Sequence, residues 1–142
     1  MKKLKFLTIA FILINITSCN AQNKEHKSIE NTIREFSKAG DENNSEKLSY
    51  YLDDNYRIVM NRLFGSKEVS IMDKTTYLSK IKSKEYGGDN RILTIENIVI
   101  NGTSASVKVT FKGTKMKFVS LITLIKSDDN NWKLIGDIPT IE

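Results

Sequence analysis

The sequence predicts an α+β domain in which N-terminal helices cover an antiparallel sheet built by the last third of the chain. Three observations predict it. Between Arg91 and Ile138, four apolar-rich stretches are separated by short polar turns. In the second stretch Ala105, Val107, Val109 and Phe111 alternate with Ser104, Ser106, Lys108 and Thr110, which is the period of a half-buried strand. Upstream, Ile29, Ile33 and Phe36 recur at helical spacing and supply a greasy stripe for the sheet's dry face.

The chain opens on Met1-Lys2-Lys3-Leu4-Lys5, a basic start, followed by an apolar run from Phe6 to Ile14. A lasting bilayer span needs about 20 apolar residues, so this run reads as a secretory signal over residues 1–18. The run ends in Ile16-Thr17-Ser18-Cys19, which resembles the lipobox of bacterial lipoproteins. That resemblance implies a diacylglyceryl group on the Cys19 sulfur and cleavage just before it. Several acyl chains at about 0.8 kcal/mol per buried CH₂ hold firmly where one chain would not. Residues 19–27 are expected to be a polar, lipid-anchored tether, with the folded domain at 28–142. Asn20, rather than an aspartate, follows the cysteine, so the resemblance favours an outer membrane if the cell is Gram-negative.

A helix is expected from about Ser28 to Ala39, stopped by Gly40, and a shorter one over Ser45–Leu52 capped by Asn44 or Ser45. Asp53-Asp54-Asn55 turns the chain into a strand at Tyr56–Met60, and Glu68–Met72 is its return. Asp73 is a fair N-cap for a helix over Lys74–Lys84, with Tyr77, Leu78 and Ile81 as its stripe. Gly87-Gly88-Asp89 reads as a loose connection into the sheet.

In the sheet, Arg91–Ile100 changes phase at Glu96-Asn97, which predicts a bulge. Asn101-Gly102 predicts a type I′ hairpin. The stretch Lys115–Lys126 is apolar on both faces: Met116, Phe118, Ile122 and Leu124 on one, Val119, Leu121 and Ile125 on the other. It reads as a central strand covered on both sides, by helices and by a second copy of the chain. The last strand places Trp132, Leu134 and Ile138 together, opposite Asp137, and Pro139 is expected to end the ladder.

At 142 residues the chain holds one domain, and 39% hydrophobic content is ordinary for a packed core. The formal charge of +5 overstates the basic balance, because three lysines sit in the expected signal. Without a clustered basic face, nucleic acid is not an expected partner. A single cysteine excludes an internal disulfide, and no Cys/His spacing points to a metal or a cofactor. His26 is the only histidine and falls in the expected tether, which all but closes Ser-His and Cys-His nucleophilic schemes. No phosphate-binding glycine loop is present.

Gly40-Asp41 through Leu48, Tyr51-Leu52-Asp53-Asp54 into Tyr56-Arg57-Ile58-Val59, and the closing Asn131-Trp132-Lys133-Leu134-Ile135-Gly136-Asp137 resemble motifs of the nuclear transport factor 2-like superfamily. Within it the chain is most similar to the lumazine-binding, ketosteroid-isomerase-like branch of small secreted bacterial proteins. The resemblance implies a cystatin-like roll: a curved antiparallel sheet wrapped as a cone around the helices. It also implies a pocket at the open end and a homodimer through the sheet's outer face. Enzymes of the superfamily use a cavity carboxylate as base with a tyrosine or acid as oxyanion donor.

Against that pattern, Asp53 and Asp54 read as turn residues bonding local N–H groups, and Asp137 as an exposed carboxylate on the outer face. Tyr56, Tyr77, Phe118 and Trp132 are the candidate ligand-binding residues, for a small apolar or aromatic ligand. Lys80, Lys84, Lys112, Lys115 and Lys117 read as solvated surface, with anionic lipid head groups as a possible neighbour. With no acid–base set visible, the leading expectation is a membrane-anchored, non-catalytic ligand-binding or scaffold domain, homodimeric. Two rivals stand beside it: a small isomerase, cyclase or dehydratase, and an envelope protein-interaction module. A carboxylate buried in an apolar pocket beside a tyrosine hydroxyl favours the enzyme.

Overall fold

The computed structural model describes the backbone of residues 2–142 and the side chains of residues 21–142. The expected signal and Cys19 lie outside the described side chains. The elements run α1 (Lys2–Asp41), α2 (Ser45–Tyr50), β1 (Leu52–Asn61), β2 (Val69–Asp73), α3 (Lys74–Lys82), β3 (Ile92–Asn101), β4 (Ser104–Lys112), β5 (Lys117–Lys126) and β6 (Trp132–Ile141). One six-stranded sheet holds the order β2-β1-β6-β5-β4-β3. β3 to β6 form the expected antiparallel meander, and β1 joins it parallel to β6. The result is an α+β roll, with helices packed against one face of a curved, unclosed sheet.

The core sits between the layers. Ile29, Ile33 and Phe36 of α1 are buried with Leu48, Tyr77 and Ile81 against Val107, Val109, Phe111, Ile122, Leu124, Trp132 and Leu134. Asn44 caps α2 by accepting from the Lys47 N–H at 2.9 Å, and Asp73 caps α3 by accepting from the Thr76 N–H at 2.8 Å. Helix α1 begins well before the expected Ser28. The stretch read as a tether, 19–27, is helical throughout, and Glu25 ties it to partners on the sheet. Among the described residues no helix is long and apolar enough to cross a membrane.

Bulges shape the sheet. The expected one in β3 falls between Glu96 and Val99, with Asn97 at φ 52°. A second, in β6, was not expected. Thr123 pairs with Gly136 and Leu124 with Leu134, so Ile135 has no partner on β5. One unpaired residue reverses the phase of everything after it. Asp137 therefore turns inward, onto the face of Trp132 and Leu134, and Ile138 turns outward; both assignments correct the sequence expectation.

Three smaller corrections have local causes. The β3–β4 register closes on Asn101 and Ser104, so Gly102-Thr103 is the central pair, with positive φ only at Gly102 (59°). A turn with glycine first and one left-handed residue is II′-like, not I′. The ladder also continues past Pro139, which pairs with Ser120, to Ile141. The Glu142 N–H donates to the Lys117 carbonyl, so by alternation Pro139 presents its nitrogen to the other edge, beyond the last β1–β6 pair. Finally, Gly87-Gly88 is not loose. Asn43 donates to the carbonyls of Ile81 and Tyr86 at 3.1 and 2.7 Å, and the Gly88 N–H donates to the Gly40 carbonyl. A Cβ on Gly87 would lie 2.2 Å from that carbonyl oxygen, and Gly87 stands at φ 79°.

Candidate functional site

Between α1, α3 and the inner face of the sheet lies a cavity of about 530 Å³. Its mouth is framed by the β1–β2 loop, the Tyr86–Asp89 connection and the β4–β5 hairpin, and its walls include Phe36, Ile58, Met72, Ile81 and Phe111. That is the size and apolar character of a small-molecule site.

Asp137 lines this cavity and is only 8% exposed. Burial pushes its carboxyl up to about 6, while the Ser120 hydroxyl beside it and the Arg91 guanidinium pull it partly back. Its Oδ1 has no hydrogen-bond partner among the described residues, and neither does the fully buried hydroxyl of Tyr56. Burial, and secondarily the Asp137 charge, raises the Tyr56 hydroxyl well above the usual tyrosine range. Tyr77 is also raised by burial, and its ring centroid lies 5.8 Å from that of Tyr56. Two orphaned buried polar atoms on adjacent strands, β1 and β6, are an expense that folded chains rarely carry without use.

Arg91, at the mouth, is held on three sides. Its Nε donates to Asp41 Oδ1 at 2.5 Å, its Nη2 donates to the Ser37 carbonyl at 3.1 Å, and its guanidinium lies 4.9 Å from the Phe111 ring centroid. Asp41 belongs to the Gly40-Asp41 corner noted in the sequence, so that corner fixes a cation at the cavity rim.

Of the four ligand-binding candidates, Tyr77 and Phe118 line the cavity. Tyr56 stands behind Tyr77, buried rather than lining. Trp132 lies at the far end of β6, where its indole N–H donates to Glu25 Oε2 at 2.8 Å. Asp53 accepts from the nearby Asn55 N–H at 2.8 Å, as expected, whereas Asp54 pairs with Lys74 Nζ of α3 at 2.9 Å, and both lie inside β1 rather than in a turn before it. Among the surface lysines, Lys80 pairs with Glu85 and Lys117 with Glu142, while Lys84, Lys112 and Lys115 are exposed.

Sequence reasoning missed Asp137, Ser120 and Arg91. A cue was present for Asp137: Gly136 inside a strand pattern marks a bulge, and a bulge there turns the next residue inward.

The family described as "Putative lumazine-binding" matches residues 24–137. Among solved structures, the chain is similar to a nuclear transport factor 2-like protein of unknown function from Silicibacter pomeroyi. The TM-score is 0.74 at 12% identity, over 85% of this chain and 98% of that one. It is similar to a nuclear transport factor 2-like protein from Cytophaga hutchinsonii, with a TM-score of 0.66 at 20% identity over 82% of this chain and 98% of that one. A protein from Novosphingobium aromaticivorans described as a "Putative Scytalone Dehydratase" gives 0.65 at 18% identity over 87% of each chain. At these identities the likeness carries the fold. No curated protein matches the chain.

Proposed function

The chain belongs to the family described as "Putative lumazine-binding", with a nuclear transport factor 2-like fold, and on that premise we propose that it binds a small, flat heteroaromatic ligand in its cavity. The observation that carries the proposal is Asp137, a buried carboxylate with an unpartnered oxygen in a cavity whose walls include Phe36, Ile58, Met72, Ile81 and Phe111. Such an oxygen accepts from a ligand N–H, and the surrounding apolar walls stack on the rings. Lumazine-type bicyclic compounds combine those two features. The protein works at the cell envelope, anchored through acylated Cys19, and pairs with a second copy through the outer face of β5 and β6. Leu121 and Ile138 are directly paired there and 58% and 44% exposed.

Native mass spectrometry of protein purified from membranes tests the binding. The expected result is a bound aromatic small molecule, retained by the wild type and lost from Asp137→Asn. Retention by the variant removes Asp137 from the site, and an empty wild type that also fails to bind added lumazine removes the proposal.

One observation favours a second reading, a proton-transferring enzyme of the isomerase or dehydratase kind. Asp137, pushed up to about 6, is poised to accept a proton near neutrality, and Tyr77 lines the same cavity. In that case the ligand turns over, and product rather than substrate is found bound.

A further inference from the structure

The cavity mouth and Glu25 lie at opposite ends of β5. Glu25, on α1, accepts from Lys126 Nζ at 2.9 Å through Oε1 and from the Trp132 indole N–H at 2.8 Å through Oε2. Trp132 is 2% exposed, so its N–H depends on this acceptor. Lys126 also lies 5.9 Å from the Trp132 ring centroid, and its bond to Glu25 is the chief cause holding that carboxyl below the usual range. Lys126 ends β5 at this pole, while Lys117 begins β5 at the other, beside the mouth residues Met116 and Phe118.

We infer that Glu25 is a clasp that sets the attitude of the domain on its membrane, holding the cavity mouth off the bilayer so that the ligand arrives from water rather than from lipid. The inference rests on the lipidation of Cys19 proposed above. Its geometry does not depend on the conformation of the linking residues. Six Cα–Cα steps lead from Cys19 to Glu25, and even fully extended they span at most about 20–22 Å. From the clasp to the mouth, the nine steps of β5 cover about 30 Å. The leash is therefore too short to bring the lipid surface level with the mouth while the clasp is closed. Tilting the domain turns the mouth sideways, still onto water. The pole that meets the head groups is the β5–β6 turn, Ser127 to Asn131.

The test uses the full chain, produced with its leader and reconstituted in vesicles of phosphatidylethanolamine and phosphatidylglycerol. A fluorophore is attached at Lys115→Cys, on the mouth hairpin, or at Asp128→Cys, on the opposite turn, and quenched by head-group spin-labelled lipid. The expected result is strong quenching at 128 and none at 115, with quenching appearing at 115 once Glu25→Ala opens the clasp. Equal or stronger quenching at 115 on an acylated wild-type chain overturns the inference directly. So does an acylated Glu25→Ala chain whose label at 115 stays unquenched. A chain with no acyl mass that does not float with the vesicles overturns it through its premise, and intact mass tells the two failures apart.

Discussion

Asp137 shows how much one side chain carries. Its carboxyl is raised from the ordinary value to about 6, chiefly by burial, so the folded state prefers the proton more than the unfolded state does. The sign follows from that preference: the contribution of Asp137 to stability is greatest at low pH, falls as pH rises from about 4 to about 6, and is level above, while carboxylates held below their usual range, such as Asp129, contribute with the opposite sign at lower pH. The ionised group costs roughly 3 kcal/mol at neutrality. Asp137→Asn is expected to remove that slope and to make the unliganded protein more stable near neutral pH by about 1–3 kcal/mol. Urea unfolding across that pH range measures both. An unchanged slope in the variant assigns it to another carboxylate.

At the scale of elements, two local devices place the site. One is the β6 bulge, which sends Asp137 inward; the other is the clamp that Asn43 makes on the Gly87-Gly88 connection at the mouth. Gly87→Ala sets a Cβ against the Gly40 carbonyl as well as straining a positive φ, so a loss of about 2–4 kcal/mol is expected. Gly102→Ala is the control, because Gly102 also has positive φ but nothing within 4 Å of the added carbon. Its expected loss is about 1–2 kcal/mol, from backbone strain alone. Thermal unfolding of both compares clash with strain, and equal losses rule out the clamp. The elements themselves were legible from period and punctuation. The Ser104–Phe111 alternation, the Ile29/Ile33/Phe36 stripe, the Glu96-Asn97 slip and the Asp73 cap all stand where the residues placed them. The β6 bulge was masked because Trp132, Leu134 and Ile138 keep a period of two; Gly136 hinted at it, and pairing with β5 identifies Ile135 as the surplus residue.

For the whole molecule, the outer face of the sheet leaves Leu121 and Ile138 exposed side by side. Leu121→Lys is expected to convert a dimer into a monomer in sedimentation or light scattering, with the fold intact by circular dichroism, since 121 contributes nothing to the inner core. A wild type that is already monomeric removes the dimer proposal.

Local pattern was sufficient for the class of fold, the order of elements and the stripe of residues that fills the interior, because periods of two and 3.6 are written along the chain itself. The expected leader and lipidation motif are equally local. Which carboxylate enters the cavity, which tyrosines reach it and where Trp132 ends up were decided only by tertiary structure. Those outcomes depend on strand register, and register is settled between segments distant in sequence, where one surplus residue exchanges inside for outside.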